Sequence, residues 1–185
     1  IILPSYDNIS FSVTDQFTNP YGVSFSSDGT NMYTSRYGTA GTIYHYKLLT
    51  AWDVSTATLY KTFNLTISYG LTHPPTFSPD GSKMYIVDST YSATLGIVSE
   101  YELSVPWEIV TANFVSSFSQ SYAKCIKFKP DGSACYVLYN PSPATTTQIY
   151  QYSLSTPWSI STATSNGSGS LVAATTHHSF DFNSD

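Results

Sequence analysis

The chain has 185 residues, 41% of them hydrophobic and 16% aromatic, which is enough to bury a core and excludes a disordered polar tract. Only 10% are charged and the net charge is -5, so no basic stripe exists to displace counterions from phosphate, and a nucleic-acid partner is excluded. No run reaches the ~20 apolar residues of a membrane helix, so membrane insertion is not expected. The polar surface is built from Ser, Thr, Asn, Gln and Tyr, which points to an extracellular, virion or cell surface.

The chain opens I-I-L-P-S-Y, without Met or a basic leader, as at a processing site or the edge of a longer chain. In residues 1–17, D-N-I-S-F-S-V (7–13) reads as the outer strand of a preceding unit. A whole unit occupies 18–68. Its inner strand Y-G-V-S-F runs into the turn F-S-S-D-G (25–29), then come N-M-Y-T (31–34) and I-Y-H-Y-K-L (43–48). A corner, A-W-D-V-S-T-A (51–57), leads to the closing strand L-Y-K-T-F (59–63). Residues 69–118 repeat the order: F-S-P-D-G (77–81), K-M-Y-I-V (83–87), V-S-E-Y-E-L (98–103), P-W-E-I-V-T-A (106–112) and F-V-S-S-F (114–118). Residues 119–175 do so again, with F-K-P-D-G (128–132), A-C-Y-V-L (134–138), I-Y-Q-Y-S-L (149–154) and P-W-S-I-S-T-A (157–163). Residues 176–185 supply the first strand of a following unit, ending F-N-S-D (182–185).

The marker residues Phe25, Phe77, Phe128 and Phe182 are spaced by 52, 51 and 54. A fixed period of this size means stacked copies of one supersecondary unit. Four period-2 segments rich in Tyr, Val, Ile and Phe, separated by Gly, Pro, Ser and Asp, are four strands. In x-P-D-G, Pro presets φ, Asp caps its own backbone and Gly takes the left-handed conformation, which joins adjacent antiparallel strands. A four-stranded sheet of ~50 residues cannot bury both faces alone, whereas radial stacking buries them. The predicted fold is therefore all-β, a propeller of four-stranded antiparallel blades: three complete and a partial one at each end. The repeat positions are Phe25, Asp28, Gly29, Trp52, Phe77, Asp80, Gly81, Trp107, Phe128, Asp131, Gly132 and Trp158. The Trp of each corner is read as an anchor plugging the gap to the neighbouring blade. By the expected turn register Lys127 lies opposite Cys135, so Cys125 and Cys135 stay buried free thiols.

The F-S-P-D-G-S-K-M-Y-I-V phrase resembles the S-P-D-G propeller repeats, a group that includes YVTN-type surface repeats and WD40-like repeats. Trp52-Asp53 is not the dipeptide of the latter, since Tyr46-Lys47 holds the equivalent place at the end of the third strand. The Y-x-L-S-T-P-W-x-I-S-T-A corner is similar to repeats of phage and marine microbial extracellular proteins. That resemblance implies a non-catalytic surface role.

In such a propeller the second-to-third-strand loops and the inter-blade links share a ligand face. It gathers Arg36, Tyr37, His73, Asp88, Tyr91, Tyr122, Lys124, Tyr139, Asn140 and His178, with Asp15, Gln16, Tyr21, Tyr69, Gln120 and His177 from the links. Tyr with Asn, Gln and Asp is the chemistry of sugar or protein recognition. The aligned positions Tyr21, His73, Lys124 and His178 offer two imidazoles and an intruding Lys, so no metal is expected. No cofactor is expected either, because P-loop, G-x-G-x-x-G and G-x-S-x-G patterns are missing. Asn8, Asn64 and Asn166 open N-x-S/T sequons, acceptors for glycans in a secreted eukaryotic protein.

The expectation from sequence is a module that is not an enzyme: a scaffold binding protein or carbohydrate on a cell or particle surface, with self-association as a further partner mode. One alternative is a propeller enzyme of lactonase or glycosidase type, its site completed by blades outside this chain. Its inner strands Y-G-V-S-F, H-P-P-T-F, K-C-I-K-F and H-S-F-D-F offer Asp181 and little else. Another alternative is a self-assembling filament or surface lattice, since open sheet edges invite pairing.

Overall fold

The computed structural model describes residues 8–36, 38, 41–66, 70–89, 95–141, 147–171 and 179–182. Strands β1 (Pro20–Phe25), β2 (Asn31–Arg36), β3 (Thr42–Leu48) and β4 (Ala57–Asn64) pair antiparallel in chain order. The second sheet has its first strand in two pieces, β5 (Leu71–Thr72) and β6 (Thr76–Phe77), followed by β7 (Lys83–Ser89), β8 (Gly96–Leu103) and β9 (Ala112–Ser119). The third is β10 (Ala123–Phe128), β11 (Ala134–Tyr139), β12 (Thr147–Leu154) and β13 (Ala163–Leu171). The fold is all-β, three blades of four antiparallel strands.

Each first hairpin closes on its Gly. Gly29, Gly81 and Gly132 have φ of 72°, 71° and 71°, a left-handed backbone that costs a residue with Cβ. Their N–H groups donate to Ser26, Ser78 and Lys129 carbonyls at 3.0, 2.9 and 2.8 Å. The Asp before each Gly accepts from the backbone two residues on: Thr30 N to Asp28 Oδ1 at 3.0 Å, Ser82 N to Asp80 at 3.1 Å, Ser133 N to Asp131 at 2.9 Å. The Ser26 and Ser78 hydroxyls add to this and hold Asp28 and Asp80 below the usual carboxylate range. At Asp131 the Lys129 ammonium does so.

The corners add a second role to the expected one at the gap between blades, where Trp158 packs on the seam of blades two and three. Trp52, Trp107 and Trp158 are themselves left-handed, with φ of 66°, 67° and 62°. Each donates its N–H to the turn Gly of its own blade at 3.0 Å. The indole lies flat on that Gly, so a Cβ there would sit 2.4, 2.3 and 2.2 Å from ring atoms in blades one to three. Trp52, with no described complete blade before it, is 59% exposed, whereas Trp107 and Trp158 are half-buried. The gap is filled also two residues later, by Ile109 and Ile160 at the start of single 3-10 turns. The corner still joins blades, through its carbonyl: Tyr33 Oη donates to Trp107 O at 2.7 Å, and Tyr85 Oη donates to Trp158 O.

Burial follows this stacking. Tyr33 and Ile43 of blade one, with Phe63 at their margin, pack on Met84, Ile86, Tyr101, Leu103 and Ile109 of blade two. Tyr85 and Val98 of blade two pack likewise on Cys135, Val137, Tyr152, Leu154 and Ile160 of blade three. Tyr33 to Phe77 spans 4.6 Å between ring centroids, Tyr85 to Phe128 4.3 Å and Tyr136 to Phe182 4.8 Å. At the other end Phe11 meets Tyr46 at 5.3 Å, as Phe63 meets Tyr101 at 5.4 Å. Phe11 and Phe182 thus hold blade positions, although residues 8–17 and 179–182 are not in strands.

Charges reinforce the two seams differently. Lys47 pairs with Glu108 across the first. At the second, Glu100 is fully buried, takes the Lys83 ammonium at 2.5 Å and accepts the Ile160 N–H at 2.7 Å. In the slot matching Glu100, blade one carries a buried His45 bonded to Asn31 Oδ1 at 2.8 Å and ringed by Tyr33. Burial pushes its imidazole down to about 4, and Lys47 adds to the shift.

The cysteines are free, with a correction to their register. Cys135 pairs with Phe128 and Cys125 with Leu138, because Lys129 N closes the turn on Ala134 O and makes the loop one residue longer. Cys125 is half-buried, not buried.

Candidate functional site in the inner-strand cleft

The first strands of successive blades converge on a cleft of about 320 Å³. Three local breaks in regular pairing shape it. In β1 the register slips between Pro20 and Gly22, leaving Tyr21 as the extra residue of a bulge. In β10 the same slip between Ala123 and Cys125 leaves Lys124. In blade two the strand is cut by His73-Pro74-Pro75, since neither Pro can donate to the ladder; the His73 N–H makes the last bond, to Val87 O at 2.9 Å. Bulges re-aim side chains beside functional sites, and here all three devices fall at one repeat position.

The result brings Tyr21, His73 and Lys124 into one cleft, with Ser24, Cys125, Lys127 and Ser179 also on its walls. The Tyr21 and His73 rings meet edge-on at 4.8 Å. His73 is 4% exposed and Lys124 6%. Gly22 permits the blades to close, as a Cβ there would meet Pro74 Cγ at 2.6 Å. Burial lowers the Lys124 ammonium below the usual lysine range, and no hydrogen bond or ion pair of this side chain is present among the described residues. Lys127 is paired with Asp181 at 3.4 Å. Burial pushes the Cys125 thiol up to about 11, so no thiolate nucleophile is presented at neutral pH.

The remaining ligand-face residues are dispersed. Asp88 is buried and accepts from Thr72 Oγ1 at 3.1 Å. Asn140 is buried and bonds through its backbone N–H to Tyr122 O at 3.0 Å. Tyr122, left-handed at φ 57°, meets Tyr139 at 5.3 Å, and Tyr139 meets Tyr150 at 5.7 Å, an aromatic group of blade three. Arg36 ends β2, exposed. Tyr37, Tyr91 and His178, and with them Tyr69 and His177, lie outside the described residues. Asn8, Asn64 and Asn166 are all exposed. Ser24, Cys125, Lys127 and Ser179 are cleft residues that sequence reasoning missed. The available signal was the period-2 alternation of the first strands, which sets Lys127 and Cys125 on one face.

No protein-family model and no curated protein sequence matches the chain. Solved structures do. A 6-phosphogluconolactonase candidate from Bacteroides uniformis superposes with a TM-score of 0.59 at 14% identity, over 84% of this chain and 42% of that one. One from Bacteroides fragilis gives 0.57 at 16%, over 80% and 37%. The periplasmic gluconolactonase of Pseudomonas aeruginosa gives 0.53 at 14%, over 82% and 39%. The expectation of a module that is not an enzyme is corrected by this finding, since these propellers are named as lactonases. At such identities the likeness establishes the architecture: the chain is a β-propeller segment spanning 37 to 42% of the length of these propellers.

Proposed function

We propose that the chain forms part of a lactonase-type propeller hydrolase that opens the cyclic ester of a sugar acid, its site completed by further blades. The observation that carries this reading is the convergence of Tyr21, His73 and Lys124, from matching positions of three blades, in one cleft of a fold shared with named lactonases. Lactone hydrolysis needs a base for the attacking water and a donor to the carbonyl oxygen that gains charge. His73 supplies the base, its ring angle set by the Tyr21 edge. Tyr21 supplies an O–H donor and Lys124 an N–H donor. A cleft of about 320 Å³ suits a six-carbon ring with its hydroxyls. A periplasmic or secreted location accords with the low charge and with the periplasmic relative in fold.

The test is acid release from glucono-δ-lactone and its 6-phosphate by the full-length protein. We expect turnover of at least one, and His73→Gln should lower kcat by about a hundredfold, the size of a general-base contribution. No turnover of either lactone above the spontaneous rate overturns the reading.

A further inference from the structure

Lys124 poses a problem that lactone hydrolysis does not solve. A lysine placed only for structure is paired or reaches solvent, because an unpaired buried ammonium costs several kcal/mol. Among the described residues Lys124 does neither. It is 6% exposed, no partner for it exists among the described residues, and the cationic Lys127 lines the same cleft. The Asp181 carboxylate is engaged by Lys127 at 3.4 Å. The β-bulge that carries Lys124 places this amine on the wall of the cleft, where Lys127 is the second lysine and already holds a carboxylate. Loss of the proton relieves the cost of burial, and an uncharged lysine amine is a nucleophile toward carbonyl carbon.

We propose that Lys124 is a covalent carbonyl-binding site of the cleft, condensing with the aldehyde of a small hydroxylated compound of the open-chain sugar class. The Nζ lone pair attacks the carbonyl carbon to give a carbinolamine. The carbon–oxygen bond then breaks, both Nζ hydrogens leave with that oxygen as water, and a C=N bond remains. Tyr21, Ser24, His73 and Ser179 provide hydrogen-bonding groups for the hydroxyls of the bound chain. The proposal shares the cleft with the lactonase reading but not its chemistry.

The experiment is reductive trapping. The intact protein is incubated at pH 7 with glyceraldehyde and cyanoborohydride, which fixes an imine as a secondary amine, and adduct formation is followed by peptide mass spectrometry. Lys124 should be modified at least about tenfold faster than the exposed Lys129, as an amine with a depressed pKa requires. Labelling of Lys124 no faster than Lys129 overturns the proposal. Lys124→Arg should abolish the fast phase and leave the slow labelling of the other five lysines. Should that variant misfold, the site map of the unaltered protein still decides. Rapid labelling without lactone turnover supports this proposal and removes the lactonase reading; turnover with slow Lys124 labelling does the reverse.

Discussion

The turn face and the inner-strand cleft of the same blades are built on opposite terms. At the turns, three copies repeat one solution: Gly φ within a degree, Trp φ within five, each indole on its own Gly, each Asp bonded to its own loop. At the cleft, one repeat position holds Tyr21, His73 and Lys124, three chemistries delivered by two bulges and a proline break. Where the copies agree, the residues serve the backbone and are locally satisfied. Where they disagree, a polar group is buried at a cost to stability, as functional sites commonly require.

Substitutions should separate the two regions. Gly81→Ala forces a Cβ to 2.3 Å from Trp107 at a left-handed φ, and should cost about 3 kcal/mol or more in denaturant unfolding. Acid should act next. The His45 imidazole is near 4 when folded and about 6.5 unfolded, so the unfolded chain binds the extra proton. Stability is full above pH 6.5 and falls as pH drops toward 4, by roughly 3 kcal/mol. Unfolding midpoints of the native protein and His45→Gln across that window measure it; the variant should show the shallower slope. Tyr85→Phe, which removes the donor to the Trp158 carbonyl across the second seam, should cost about 1–2 kcal/mol. The smallest effect has the opposite sign. Lys124→Met removes an amine with no partner among the described residues and should leave stability unchanged or raise it by about 1 kcal/mol, while abolishing the fast phase of aldehyde trapping. A large loss of stability there would erase the contrast.

The architecture was legible because its signals are local and repeated. Phe25, Phe77 and Phe128 fall in matching places, and even Phe11 and Phe182 stack on the expected Tyr of the next or previous blade. The site was legible only in outline. Aligning Tyr21, His73 and Lys124 required nothing but the period, yet their convergence depends on bulges, and a one-residue slip leaves no trace in an alternating pattern. The same kind of slip displaced the expected partner of Cys135 from Lys127 to Phe128. The backbone conformation of the Trp corners was illegible for a different reason. A left-handed Trp is rare enough that nothing in W-D-V-S-T-A announces it, and the indole could reach its own Gly only once that conformation was adopted.

The unlike fastenings of the two seams carry a consequence for the molecule as a mechanical object. The Lys47–Glu108 pair sits partly in water, 38% and 19% exposed by side chain, where mobile ions weaken it. The Glu100 carboxylate grips the Ile160 amide in the dry interior, beyond their reach. Rising ionic strength therefore loosens one hinge line and spares the other. Brine would slacken the first seam by about 1 kcal/mol at most and leave the second as it was.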